Sequence, residues 1–237
     1  MDVKDIRISL TNEIYPSTLE NKKTALNRTI LHKSKCFVKR LIDIIGSLFG
    51  IVLLVPITIF MILANTISGE RGPVFYKQER IGKDGKTFEL YKFRSMIVGA
   101  DDKLSGYLDE NEDAKREYTT YKKLKEDPRV TKMGAFIRKT SIDELPQFIN
   151  VLKGDMSLVG PRPYLPREKK DMKEFYDSII QIKPGLTGPW QVSGRSNTTF
   201  EERLEIESTY VEKNDLKSDV ALIVKTVVKA FNREGAA

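Results

Sequence analysis

The sequence predicts a mainly helical α+β fold held at a membrane, and three observations carry that prediction. Residues Ile44 to Ser68 contain no charged side chain. Aromatic and β-rich runs flank a Gly82-Lys83-Asp84-Gly85 turn. Beyond that turn, charged helical patterns alternate with Pro- and Gly-rich breaks. The chain therefore divides into a polar arm over residues 1–35, a membrane-embedded helix over 36–69, and a small globular domain over 70–237.

The arm is mixed in charge and weakly periodic, which predicts short helices at most. The apolar run that follows is about 25 residues long, enough at about 1.5 Å per residue to cross a hydrocarbon core of about 30 Å. It begins too far from Met1 for a cleaved signal peptide. Pro56 sits in its middle, where it removes one helical hydrogen bond and crowds the preceding turn. Both flanks are basic, with Lys33, Lys35, Lys39 and Arg40 before it and Arg71, Lys77, Arg80 and Lys83 after it. By the positive-inside bias both ends prefer the cytoplasmic side. A helix kinked at Pro56 that enters and leaves one leaflet satisfies both facts. A spanning helix that tolerates its proline is the alternative, and these residues alone do not choose.

From Pro73 the pattern predicts a β-hairpin closed by the Asp84-Gly85 pair. Ala100 to Glu126, rich in Asp, Glu, Lys and Leu, predicts a helix that Asp127-Pro128 ends. Shorter helices are expected over 143–152, 166–180, 200–213 and 215–232. The last gathers Val220, Ile223, Val224, Val227, Val228 and Phe231 on one face, with Lys217, Lys225 and Lys229 at the margin. That face suits packing on the domain or lying on a bilayer.

Composition narrows the chemistry. The chain has 237 residues, a formal net charge of +7, one cysteine and one histidine. The positive balance points to an anionic partner. Lysines and acids are interspersed without a basic block, so no nucleic-acid partner is expected. Lone Cys36 excludes an intramolecular disulfide and fits a reducing compartment. His32, in a basic stretch, reads as a surface residue. Carboxylates, Lys, Arg, hydroxyls or an oxygen-ligated metal must therefore supply any catalysis.

The strongest such constellation is Asp143-Glu144, with Arg138 before it and the Gly160-Pro161-Arg162-Pro163 turn after it. A carboxylate can attack phosphorus when cations mask the charges on both sides. Lys92 at the end of the second hairpin strand, Arg138, and Arg195 in a Gly-rich loop are the available cations. The competing explanation is structural: Ser141-x-x-Glu144 fits a helix capping box, with Pro146 tolerated in a first turn.

Three blocks in order, YKFRSM, SIDELPQFINVLKGDMSLVGPRP and KPGLTGPWQVSGRSN, resemble the core of the bacterial sugar transferases. These are the monotopic phosphoglycosyl transferases of capsule, exopolysaccharide and O-antigen (lipopolysaccharide) synthesis. With the apolar helix, the resemblance covers about residues 36 to 234. It implies a re-entrant helix broken near Pro56 and a cytosolic catalytic domain over 70–237 with amphipathic interfacial helices, at the bacterial inner membrane. It implies Asp143 as the nucleophile that attacks the β-phosphate of a UDP-sugar, expels UMP and passes the phosphosugar to undecaprenyl phosphate. Glu144 matches the partner acid, which assists Mg2+ binding or deprotonates the carrier, so Asp143 and Glu144 are the implied metal ligands. Lys92, Arg138 and Arg195 match phosphate-binding positions, and Pro161, Arg162 and Pro163 the nucleotide-proximal turn. The insert between Ser95 and Asp127 resembles the hexose-1-phosphate type, favouring galactose or glucose. The implied partners are UDP-sugar, undecaprenyl phosphate and membrane lipids, with a homodimer left open. The arm has no counterpart recognised in the family.

Two other readings compete. A membrane-anchored scaffold would use the dyad only as a helix cap. A one-step transferase would use Glu144 to activate the carrier without a covalent intermediate.

Overall fold

A computed structural model describes the backbone of residues 3–67, 72–193 and 198–232, with side chains from residue 34 to residue 229 within those segments. Its internal contacts divide the chain into Met1–Ile42 and Asp43–Ala237. In the first unit residues 3–42 are helical throughout, so the short helices expected of the arm form one uninterrupted stretch. Helix α1 is assigned Val3–Ile67 and includes Pro56 without a break in the assignment.

Within the second unit, α1 presents two unlike faces. Leu54 and Met61 are buried at 6% and 0% exposure, while Phe49, Val52 and Ile59 stand 68%, 69% and 56% exposed. From Ser34 to Ile67 the helix is long and apolar enough to cross a membrane. A water-soluble domain rarely leaves so many large apolar side chains open on one helix. Covering each such side chain fully is worth about 1.5–3 kcal/mol.

The hairpin forms as its sequence predicts. Strand β1 (Phe75–Ile81) pairs antiparallel with β2 (Thr87–Phe93), in the register Tyr76↔Lys92 and Arg80↔Phe88. Asp84 and Gly85 both have positive φ, 58° and 74°, and Lys86 N–H closes the turn on Lys83 O at 3.2 Å. Two left-handed central residues match the right-handed twist of the strands, which is why Asp-Gly suits this position.

The expected helix over 100–126 is two helices, α2 (Ala100–Glu110) and α3 (Glu112–Tyr121). Asn111 separates them, because its extended backbone lets its side chain accept Ala114 N–H and start α3 afresh. Helix α4 (Lys132–Lys139), which the sequence reading omitted, follows a Thr131 cap. Then come a 3₁₀ turn over Ile142–Glu144 and α5 (Gln147–Lys153). Residues Pro166–Phe175 are 3₁₀ and lead into α6 (Tyr176–Ile179), in place of one helix over 166–180. A second small sheet pairs β3 (Ser157–Val159) parallel with β4 (Gly185–Thr187). Helices α7 (Pro189–Ser193), α8 (Phe200–Lys213) and α9 (Leu216–Asn232) complete the described chain.

The face predicted for α9 divides. Ile223 joins Leu222 against the Val159, Tyr210 and Val211 cluster, whereas Val220, Val224, Val227 and Val228 stay about half exposed. Phe231 lies outside the described side chains.

Candidate active site

The dyad is set by the residues on either side of it. Ile142 and Leu145 pack into the cluster of Leu54, Met61, Phe93 and Ile137, which draws the intervening Asp143 down to 7% exposure. Three short-range bonds fold the segment: Ser141 N–H to Arg138 O, Glu144 N–H to Ser141 O, and Leu145 N–H to Ile142 O, at 3.1, 3.2 and 3.1 Å. Pro146 has no N–H to extend the ladder. The capping box proposed for Ser141 does not form. Ser141 is left-handed, φ 56°, and its side chain caps nothing, because a working cap needs extended backbone to turn its oxygen toward the N3 amide.

Lys92 reaches this turn from the end of β2. Its Nζ donates to Glu144 Oε1 at 3.1 Å and lies 3.8 Å from Asp143 Oδ2. Glu144 thus takes the lysine's hydrogen bond, while Asp143 receives its charge at longer range. Arg138 stands in the last turn of α4, with its Nε donating to Ser95 Oγ at 2.8 Å. Gly134 permits that approach, since a Cβ there would sit 1.8 Å from Ser95 O.

Burial pushes the Asp143 carboxyl up to about 6; Lys92 opposes the rise, Glu144 adds to it, and Arg138 opposes it. Burial lowers Arg138 from its ordinary value, with Asp143 the main opposing influence. An acid with a raised pKa beside two cations matches the environment of a nucleophile that is largely ionised at neutral pH.

The Gly160–Pro163 turn leaves β3 and groups with a different set. Arg162 N–H donates to Glu207 Oε1 at 2.9 Å, and Tyr164 O–H donates to Glu207 Oε2 at 2.5 Å. Burial drives Glu207 up to about 7, against those two hydrogen bonds and the charges of Arg203 and Arg162. The guanidiniums of Arg162 and Arg203 lie 5.4 and 4.0 Å from the centre of the Trp190 ring.

The structure thus brings Lys92, Arg138, Asp143 and Glu144 together, and sets Pro161, Arg162 and Pro163 in a second cluster. Arg195 lies outside the described residues. Sequence reasoning missed Glu207, Arg203 and Asp43. Asp43 accepts from Ser157 Oγ at 2.9 Å and Leu158 N–H at 2.8 Å, tying α1 to β3. A lone acid immediately before an uncharged run was the available signal.

A family model described as bacterial sugar transferase matches residues 34–233. The chain belongs to this family. It is 41% identical over 211 residues to the undecaprenyl-phosphate galactose phosphotransferase of Salmonella typhimurium, covering 89% of this chain and 44% of that one. It is 36% identical over 207 residues to the UDP-glucose:undecaprenyl-phosphate glucose-1-phosphate transferase of Escherichia coli (84% and 41%). With the exopolysaccharide production protein ExoY of Rhizobium meliloti it shares 38% identity over 193 residues (80% and 83%). The chain thus spans less than half the length of the first two of these relatives.

Proposed function

We propose that this sugar transferase moves a sugar 1-phosphate, galactose or glucose, from a UDP-sugar to undecaprenyl phosphate in capsule, exopolysaccharide or lipopolysaccharide synthesis. The observation that carries the reading is Asp143, buried and raised to about 6 yet flanked by Lys92 and Arg138. An Asp143 oxygen attacks the β-phosphorus of the donor. The bond from that phosphorus to the bridging oxygen breaks, and UMP leaves with the electron pair. A phosphate oxygen of the carrier then attacks the same phosphorus and frees the carboxylate. Lys92, Arg138 and Arg195 hold the phosphate oxygens, and Pro161-Arg162-Pro163 lies toward the nucleotide. The names of the Salmonella and Escherichia relatives support both substrates.

The two acids fit Mg2+ in one mode only. No group of three or more acid, histidine or cysteine side chains occurs among the described residues. A magnesium ion held by one or two carboxylates, with substrate phosphates and water completing its shell, needs no more. Asp143 and Glu144 would hold it, and when bound it would neutralise diphosphate charge.

The membrane arrangement we propose is re-entrant, at the cytosolic face of the bacterial inner membrane. Asp43, near the start of the apolar run, bonds to β3, and Met61, eighteen residues on, is buried in the Phe93 cluster. About 27 Å of helix therefore runs against one domain. A straight spanning helix would carry that domain into the hydrocarbon; the bend within one leaflet near Pro56, through which α1 is assigned without a break, is what the proposed arrangement adds.

The test is UMP release by detergent-solubilised protein given Mg2+ and a panel of UDP-sugars, with and without undecaprenyl phosphate, and with Asp143→Ala alongside. The expected result is release from one donor that goes beyond one UMP per enzyme only when carrier is present, with a loss on the order of a thousandfold in the variant. Folded protein silent on every donor would favour the scaffold reading. Intact mass after donor alone should show a phosphosugar adduct, and its absence from active enzyme would favour one-step transfer.

A further inference from the structure

Among the described residues β1 and β2 form a two-stranded sheet, so one edge of β2 has no strand beside it. Helix α5 covers that edge, and one side chain meets it. Asn150, fully buried, accepts Tyr91 N–H on Oδ1 at 3.0 Å and donates from Nδ2 to Glu89 O at 2.7 Å. These are groups that a third strand would otherwise take. A carboxamide offers both an acceptor and donors, and the Tyr91 N–H fixes which end faces which. Nδ2 also lies 3.5 Å from Asp155 Oδ2. The main chain of Asn150 is held as well, its carbonyl accepting from Gly154, Asp155 and Met156 N–H at 3.0, 3.1 and 3.3 Å. Three residues on, Lys153 Nζ donates to the Tyr91 hydroxyl at 2.8 Å and lies 4.8 Å from the ring centre. Tyr91 is thus gripped at main chain and side chain, both times from α5.

The grip matters because of the next residue. Successive side chains of a strand face opposite ways, so Lys92 leaves β2 on the other face from Tyr91 and reaches Glu144 and Asp143, at 3.1 and 3.8 Å. The dyad lies just before α5, and Asn150 lies within that helix. One helix therefore follows the two acids and also holds the strand that brings their lysine. Packing of Leu90 with Val151 and Met156 joins the same elements. Apolar contact is non-directional, so by itself it does not fix how far β2 advances along α5. A misplacement of about 1 Å at a reacting centre can cost about a hundredfold in rate.

We propose that Asn150 is a positioning residue for the transfer reaction: by bonding Glu89 and Tyr91 of β2, it sets Lys92 against Asp143 and Glu144. This rests on the UDP-sugar reading above, in which Lys92 holds donor phosphate. Asn150 touches no reacting group, and its effect passes through Lys92. A residue that acts only through Lys92 has nothing left to contribute once that lysine is gone. A residue that merely supports the fold would add its own loss and loosen the whole domain.

Full-length protein in detergent is compared with Asn150→Leu, Lys92→Ala and the double variant. Two readouts are taken: UMP release, and labelling of each lysine by an amine-reactive reagent followed by mass spectrometry. Lys92→Ala should lower kcat/KM by about a hundred- to a thousandfold, and Asn150→Leu by about ten- to a hundredfold. The double variant should lose no more than Lys92→Ala alone. In Asn150→Leu the labelling of Lys92 should rise several-fold, while that of the exposed Lys86 and Lys132 stays as in the unaltered chain. Asn150→Asp keeps the shape and the acceptor for Tyr91 N–H but turns an oxygen toward Glu89 O. It should move both readouts the same way by less, and it carries the test if Asn150→Leu does not fold. Losses that multiply in the double variant, or labelling that rises at every lysine, would make Asn150 a structural residue and overturn the assignment. Active enzyme in which neither turnover nor Lys92 labelling responds to Asn150 would sink this inference alone. A rise confined to Lys92, in protein that releases no UMP from any donor, would uphold the positioning and refute the transfer reading.

Discussion

Asp143 and Glu207 are both buried carboxyls displaced upward, to about 6 and about 7, with burial the largest cause in each. Their bonding differs. Glu207 is enclosed, and both of its oxygens accept from protein donors, one from the Arg162 amide and one from the Tyr164 hydroxyl. Asp143 keeps Lys92 at 3.8 Å, beyond hydrogen-bond distance, because Glu144 holds the ammonium at 3.1 Å. A raised pKa therefore does not mark a reactive acid by itself. The same desolvation gives a structural post where donors fill the carboxylate, and a candidate nucleophile where cations stand near without filling it.

The comparison breaks most readily at Glu207. Truncation in Glu207→Ala leaves a buried amide and a buried hydroxyl unpaired, each costing about 1–3 kcal/mol. Denaturant unfolding of the solubilised protein should show a loss of about 3–5 kcal/mol. Glu207→Gln keeps an acceptor and should cost under about 2 kcal/mol. Equal stability of Ala and Gln variants would mean that the Arg162 turn does not depend on this post.

Asp143 should behave oppositely. Its folded pKa lies above the ordinary carboxyl value of 3.8, so between about pH 4 and 6 the folded chain holds a proton that the unfolded chain has released. Stability therefore falls as pH rises through that window. Asp143→Asn removes the penalty. It should match the unaltered protein at pH 4 and exceed it by on the order of 1–3 kcal/mol at pH 7.5, while losing UMP release. Thermal unfolding at pH 4, 5, 6 and 7.5 tests both statements. A variant less stable at pH 7.5 would make Asp143 a structural acid like Glu207.

The sequence exposed these two acids unequally. Asp143 sits in an unusual Asp-Glu pair bounded by Pro and Arg, so its chemistry was legible. Its local geometry was not: the capping pattern at Ser141 was genuine, but hydrophobic packing of Ile142 and Leu145 imposed a 3₁₀ turn instead. Arg203 and Glu207 stand four apart on α8, a spacing that on any helix reads as a solvated ion pair. Only the tertiary fold buries them beneath the Arg162 turn. The hairpin was readable because Asp84-Gly85 specifies its own backbone, whereas α4 and the β3–β4 pair are short and take their form from distant contacts. The apolar run announced α1, and composition alone could not say that Asp43 would pin it to β3.

The smallest expected effect lies one contact away from the dyad. Ser95 touches no reacting group on this reading; it accepts from Arg138 Nε at 2.8 Å and so aims the guanidinium. A hydrogen bond to a charged group is worth about 1.5–3 kcal/mol, but Arg138 keeps its charge and α4 its place when the hydroxyl is removed. Only part of that energy should reach the substrate. Ser95→Ala is therefore expected to raise the KM for UDP-sugar by about three- to tenfold, with kcat changed less and unfolding moved by under about 1 kcal/mol. A fall in kcat at unchanged KM would place Arg138 against the transition state alone, and the contrast between a filled post and an open nucleophile would then need Arg138 on the catalytic side.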